Sequence, residues 1–324
     1  MRMVAVTSSM KQLATTPPTL ALRSADGLRL AVETWGDAAA PAVVFAHGFG
    51  QTRRAWTSSA AFLADKGWYC LCADARGHGD SGWRDDGKYE FSQFVDDLRL
   101  VARQPVQRPI LVGASMGGLL GIMAQAGPDM SRQDKLSLDT ASVETSDAQP
   151  FRALVLVDIT PRWETRGVDR ILTFMRAYPQ GFESLDEAAA AIAVHLPHRK
   201  AQKSPQRLRS LLMPGSDGRL RWHWDPQLLE RIASDGQNQQ AALLEAAHRI
   251  RVPTLLISGE HSDIVSAATI AEFEQCVPHA RHVRVADATH MIVGDRNDAF
   301  TAAVENFIQP LRDSASDSSR SKPT

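Results

Sequence analysis

Short continuous apolar runs recur along the chain, each closing on a cluster of glycine, aspartate or histidine and most followed by a stretch of helical composition. Leu20 to Arg23 and Leu28 to Thr34 flank the turn dipeptide Asp26-Gly27, which predicts an opening hairpin. Strand 42–46 follows, then a helix from about Arg53 to Lys66, strand 68–74 and a helix from about Phe91 to Arg103. Pro109-Ile110-Leu111-Val112 leads through glycines into the helix-compatible Gly118 to Ala124, and strand 152–157 comes next. Two later runs, Thr254 to Ser258 and His282 to Val285, complete the set. Apolar runs without polar alternation, separated by helices, predict an α/β fold: a mostly parallel central sheet covered by helices on both faces. Ligands in such sheets bind at the carboxyl ends of the strands.

Two segments break the rhythm. Residues 129–150 are polar and rich in Ser, Thr, Asp and Gln, which predicts a mobile surface loop. From about Thr160 to Ala247 the chain turns helical in character, with Ile171 to Met175, the alanine-rich Ala188 to Val194 and the aromatic cluster Trp222-His223-Trp224. The predicted organisation is a core in two parts, 19–158 and 248–312, interrupted by an inserted helical unit at 159–247. Tails at 1–18 and 313–324 are expected to be disordered.

Composition narrows the class without naming it. A chain of 324 residues with 44% apolar side chains can bury a large core. With 36 basic and 37 acidic side chains the formal charge is −1, so no nucleic-acid partner is implied. No apolar stretch reaches the roughly 18 to 20 residues of a membrane span, and Met1 to Pro18 lacks a secretory apolar core, so a soluble cytoplasmic protein is expected, with no membrane partner. Cys70 and Cys72 stand two apart on one strand and share a face, as small core residues do; Cys276 stands alone. No ligand spacing for zinc occurs, and neither a metal nor a cofactor is expected.

The chemistry concentrates at strand ends. Gly113-Ala114-Ser115-Met116-Gly117 is a G-x-S-x-G string between a strand and a helix, a geometry that holds a serine Oγ clear of the backbone while glycines leave room around it. Ser115 is the candidate nucleophile. Strand 42–46 runs into His47-Gly48-Phe49-Gly50; strand 254–258 runs into Gly259-Glu260-His261-Ser262-Asp263; the last strand leads to Ala286-Asp287-Ala288-Thr289-His290. Asp263 is the favoured acid and His290 the favoured base, in the chain order Ser, Asp, His. Asp158, which closes strand 152–157, is a competing acid, and Asp287 and Glu260 lie close in sequence to the favoured pair.

These strings, together with Asp74-Ala75-Arg76-Gly77-His78-Gly79-Asp80-Ser81, resemble the α/β-hydrolase superfamily over about residues 20 to 311, and within it the serine esterase, lactonase and cofactor-free haloperoxidase branch. Thr289 departs from the glycine that usually precedes the histidine there. The resemblance implies an α/β-hydrolase fold with the 159–247 segment as a helical cap, and an oxyanion hole formed by the backbone N–H groups of Phe49 and Met116. It also implies that His47 and His78 brace their glycine-flanked turns, and that some members draw their acid from the loop holding Asp158. It implies hydrolysis of a small carboxylic ester or lactone, in a pocket to which Trp163, Phe174, Met175, Trp222 and Trp224 are assigned. The alternatives are C–C bond hydrolysis, for which Arg162, Arg166, Arg170 or Arg176 could bind a substrate carboxylate, perhydrolysis, and a receptor-like role with little turnover. Gly77 to Gly82 also fits G-x-G-x-x-G, but the polar Trp83 to Gly87 follows it where a dinucleotide site needs a helix N-terminus. Oligomeric state is not legible in the sequence.

Overall fold

The structure is a computed structural model that describes residues 19–127, 149–195, 208–209, 211–290, 292–295 and 297–317. Its strands are β1 (Thr19–Arg23), β2 (Arg29–Trp35), β3 (Ala42–Ala46), β4 (Tyr69–Ala73), β5 (Ile110–Ala114), β6 (Ala153–Val157), β7 (Leu212–Pro214), β8 (Leu220–Trp222), β9 (Thr254–Gly259) and β10 (Arg281–Val285). Eight of them form one sheet in the order β1-β2-β4-β3-β5-β6-β9-β10. The β1–β2 hairpin is antiparallel, with Leu22 opposite Leu30, and β2 meets β4 antiparallel; every pairing from β4 to β10 is parallel. This is the mostly parallel sheet that the apolar runs predict, in the α/β-hydrolase fold that the resemblance implies.

The helices are α1 (Thr57–Asp65), α2 (Phe91–Ala102), α3 (Met116–Gln125), α4 (Thr165–Arg176), α5 (Leu185–His195), α6 (Leu228–Ala247), α7 (Ala267–Cys276), α8 (Ile292–Asp295) and α9 (Asn297–Asp317), and those outside the β6–β9 insertion, with α6, cover both faces of the sheet. Because successive strand residues point to opposite faces, one run feeds two cores. Val44, Leu71, Leu111, Leu154 and Leu256 pack against Phe94 and Leu98 of α2, Leu120 of α3 and Leu243 of α6. Their neighbours Val43, Phe45, Cys70, Cys72, Val112, Val155 and Ile257 face the other way, onto Leu63 of α1 and Phe300, Val304 and Ile308 of α9. Cys70 and Cys72 therefore do share a face. Local capping fixes two helix starts: Glu90 and Gln93 form a capping box at α2, and Ser266 and Thr269 do so at α7.

Between β6 and β9 lie α4, α5, the small β7–β8 sheet and α6. The hairpin departs from the purely helical reading of this stretch. Three-residue strands are too short to show alternation, and the turn Gly215 to Gly218, with Gly218 at φ +78°, closes them locally. Phe182, Ala188, Leu208 and Leu212 give the segment an apolar cluster of its own, whereas Leu243, Ala246 and Ala247 at the end of α6 are buried in the main core. The C-terminal expectation is also corrected in part. Residues 313–317 continue α9, which runs through Pro310. The tail 1–18, nearly all of the loop expected at 129–150, and residues 318–324 lie outside the described residues. Among the described residues no helix is long and apolar enough to cross a membrane.

Burial pushes all three thiols above the ordinary cysteine range. Cys70 and Cys72 are wholly enclosed and Cys276 is buried at the end of α7. A disulfide-exchange titration is therefore expected to find no fast-reacting thiol in the folded protein and all three in denaturant. Rapid native labelling would show that this packing is wrong.

Candidate active site

Ser115 sits between β5 and α3 with φ +47° and ψ −118°, a backbone conformation that side chains rarely adopt. Its N–H donates to the Val157 carbonyl at 3.0 Å, and its carbonyl accepts from Gly118 and Leu119 as the helix begins. The turn closes only because its neighbours lack side chains. A Cβ on Gly117 would overlap the Ala46 carbonyl, and one on Gly113 would stand 2.6 Å from the Gly117 oxygen. Gly48 is the third close approach: its Cβ position lies 3.1 Å from Ser115 Cβ and 3.8 Å from Oγ. The loop after β3 thus runs beside the serine. Among the described residues neither the Phe49 nor the Met116 N–H has a protein acceptor, so both predicted oxyanion donors are unspent.

Two buried histidines hold that loop. His47 Nδ1 donates to the Gly48 carbonyl at 2.9 Å and Nε2 accepts from the Ala75 N–H at 3.0 Å. His78 Nδ1 donates to the Arg76 carbonyl at 3.0 Å and Nε2 accepts from the Gly50 N–H at 3.3 Å. Each ring is used on both sides in its neutral form. Burial lowers the pKa of both; for His78, with the His47 ring adding to the effect, it falls to about 3. The loop 74–82 that carries His78 is built around a carboxylate. Asp74 accepts from the Arg53 guanidinium, from the Arg53 N–H at 2.7 Å and from the Asp80 N–H at 2.9 Å, and a Cβ on Gly79 would strike it. The glycines of the G-x-G-x-x-G string are spent on close packing, Gly79 on Asp74, Gly77 on Leu228 and Tyr89, and Gly82 on Leu28.

His290 follows β10 with its side chain 14% exposed. Its Nδ1 lies 2.7 Å from Oδ2 of Asp158, which is 1% exposed. Asp158 ends β6 at φ +49°, and it also accepts from the Gly259 N–H at 2.7 Å and from Ser262 Oγ at 2.5 Å. The expectation that Asp263 orients His290 does not match this geometry. Asp263 turns away and pairs with Arg170 of α4 at 2.9 Å, both partly solvent-facing. The two aspartates close neighbouring parallel strands, β6 and β9, so either could have been aimed at the histidine loop. Ser262 is the residue that sequence reasoning missed. Its hydroxyl donates to Asp158 and accepts from the Ile264 and Val265 N–H groups, tying the β9 loop to the β6 carboxylate.

Of the five residues assigned to the pocket, two stand over the Phe49 loop. The Trp224 ring lies 5.2 Å from the Phe49 ring, and the Met175 methyl covers Gly50. Phe174 and Trp222 pack on each other, 5.7 Å apart, in the inserted segment, and Trp163 is in the main core. The segment is stitched to the 77–79 turn by Gly79 N–H to His223 O at 2.8 Å and Asp225 N–H to Gly77 O at 2.8 Å. Among the described residues no group of three or more His, Cys, Asp or Glu side chains gathers as a metal site would require.

The sequence profile of the alpha/beta hydrolase family matches residues 43–303, a span that holds the Ser115 turn, the glycine loop after β3 and the His290–Asp158 pair. The chain belongs to the alpha/beta hydrolase family. It is 31% identical over 281 residues to a 3-hydroxybutyrate-oligomer hydrolase of Cupriavidus necator, covering 81% of this chain and 87% of that one. To an esterase of Mycobacterium tuberculosis, Rv0045c, it is 27% identical over 286 residues, covering 85% and 84%. The crystal structure of an alpha/beta hydrolase from Novosphingobium aromaticivorans superposes with a TM-score of 0.72 at 26% identity, over 91% of this chain and 98% of that one. The hydrolase frame thus extends across both parts of the core.

Because His78 stays neutral in the folded state down to about pH 3, while an unfolded histidine takes a proton near 6.5, the unfolded chain binds more protons in between. Its contribution to stability is whole above about pH 6.5 and is lost toward pH 3, at up to about 1.4 kcal/mol per pH unit. Chemical denaturation of wild type and His78→Gln between pH 7 and pH 4 is expected to give a shallower pH slope in the variant. Equal slopes would count against the neutral, loop-bracing ring.

Proposed function

We propose that this chain is a serine hydrolase that cleaves a small carboxylic ester or lactone through an acyl-enzyme, with Ser115 as nucleophile, His290 as general base and Asp158 as the acid that orients it. The observation that carries the reading is the 2.7 Å contact of a buried carboxylate with His290 Nδ1, which leaves Nε2 as the ring atom for the serine proton. In the forward step Ser115 Oγ attacks the carbonyl carbon and His290 takes its proton. Collapse of the tetrahedral adduct expels the alcohol, which leaves with that proton. Water then enters, is deprotonated by the same nitrogen, and releases the acid and the free serine. Phe49 and Met116 N–H groups would hold the oxyanion, each such donor contributing about 3 to 4 kcal/mol in the transition state. The imidazolium formed on the way is stabilised by a carboxylate already desolvated and held by Gly259 and Ser262, so little reorganisation accompanies proton transfer.

The inserted segment at 159–247 is read as a cap, because Met175 and Trp224 lie over the loop beside the serine. Ester hydrolysis is preferred to C–C hydrolysis because Arg162 and Arg170, two of the arginines that could hold a substrate carboxylate, are already paired with Glu272 and Asp263. The names of the oligomer hydrolase and the esterase among the relatives agree with an ester substrate. The cytoplasmic location expected from the sequence stays part of this proposal.

A fluorophosphonate probe is expected to label the wild type and not Ser115→Ala. With p-nitrophenyl butyrate, Asp158→Asn is expected to lower kcat by about a thousandfold or more, as loss of the orienting carboxylate does in serine hydrolases, while Asp263→Asn stays within a few-fold of wild type. The reverse order of the two variants would return the acid to Asp263. Folded wild-type protein that neither labels nor turns over any ester would reject the hydrolase reading in favour of ligand binding.

A further inference from the structure

Five tryptophans bury an indole N–H with no hydrogen-bond partner among the described residues: Trp35, Trp56, Trp68, Trp222 and Trp224. Such donors are uncommon, and each invites a reason. Trp56 packs on Phe45 and Phe300, and Trp68 lies under the Arg152 guanidinium, on the sheet face away from α3. Trp35 borders the same cluster and Trp222 lies in the cluster of the inserted segment. Trp224 differs by its position. It is 3% exposed, its ring leans on Phe49, and its Nε1 lies 3.7 Å from where a Cβ on Gly50 would stand. Gly50 is two residues along the same tight loop from Gly48, which touches Ser115. What occupies the ground over Gly50 is the terminal methyl of Met175, a partly buried, unbranched side chain that can change rotamer at low cost.

We propose that Trp224 is a specificity-determining residue whose indole N–H donates a hydrogen bond to an oxygen on the acyl part of the substrate, a few bonds from the scissile carbonyl, once Met175 yields the space above Gly50. The inference rests on the ester-hydrolase reading. It assigns the substrate class as hydroxyacyl or oxoacyl esters in preference to plain alkanoyl esters. A plain alkyl chain would leave the donor as unsatisfied as it is without substrate, whereas an acceptor oxygen relieves a buried group. Phe49 carries the contact with the Trp224 ring and lies between Gly48, beside Ser115, and Gly50, beside the Trp224 donor. A short acyl ester with and without a hydroxyl on its third carbon isolates the oxygen that this donor would read.

The test compares p-nitrophenyl 3-hydroxybutyrate with p-nitrophenyl butyrate on wild type and Trp224→Phe, which keeps an aromatic ring against Phe49 and removes the N–H. Wild type is expected to favour the hydroxyacyl ester in kcat/KM. In the variant the ratio of kcat/KM for the hydroxyacyl ester to that for butyrate is expected to fall about tenfold, whatever change the two esters share. Equal losses on both esters, or no loss on either, would overturn the assignment, as would a wild-type preference for butyrate, which needs no variant to measure. A binding arm separates this inference from the reading beneath it. Calorimetric titration of Ser115→Ala, with and without Trp224→Phe, uses methyl 3-hydroxybutyrate and methyl butyrate. Tighter binding of the hydroxy ester that depends on Trp224 upholds the role even if neither ester turns over. Binding indifferent to Trp224 rejects it even if both are cleaved.

Discussion

Everything at the carboxyl end of this sheet's strands depends on holding one serine in a conformation that serine dislikes. At φ +47° and ψ −118° Ser115 costs of order 1 to 3 kcal/mol relative to a relaxed residue, and the surrounding chain has to over-determine it. It does so by proximity. The N–H of Ser115 is caught by β6, its carbonyl starts α3, and the backbone of β3 comes so close that Gly117 has no room for a methyl group, while one on Gly48 would press on Ser115 Cβ at 3.1 Å.

The rest of the site follows from closing the gaps that this creates. The loop after β3 must pass the serine without side-chain support from Gly48 or Gly50, so support comes from beneath, where His47 and His78 each join two segments through a neutral ring. Those rings are dependable only while they are uncharged, and their burial ensures it. Beneath them Asp74 and Arg53 form a buried ion pair whose loss on one side would leave the other charge stranded. The inserted segment then leans on this same loop through Trp224 and Met175, so the segment and the histidines that brace the loop are one packing unit.

Asp158 shows how a carboxylate is kept ready. It stands at positive φ, wholly buried, with three donors arranged around two oxygens: Gly259 N–H, Ser262 Oγ and His290 Nδ1. Two of those donors come from the β9 loop and one from the β10 loop. The carboxylate that follows β6 therefore ties the chain after β9 and the loop after β10 together. Asp263, one residue beyond Ser262, is freed by this to pair outward with Arg170.

The sequence by itself determined the layered α/β frame, because unbroken apolar runs must be buried on both faces and helices are what cover them. It also determined the serine, since G-x-S-x-G after a strand and before a helix encodes the turn locally, in residues that touch one another along the chain. The short β7–β8 hairpin and the last turn and a half of α9 escaped it, because three-residue strands carry no visible period and a polar, serine-rich tail reads alike whether or not a helix runs on into it. The partner of His290 escaped it for a different reason. Asp158 and Asp263 sit at the ends of adjacent strands with equal chemical credentials, and nothing local separates them. Which carboxylate reaches the imidazole depends on a backbone turn at β6, on Ser262, and on an arginine from α4, residues that the chain brings together only in three dimensions.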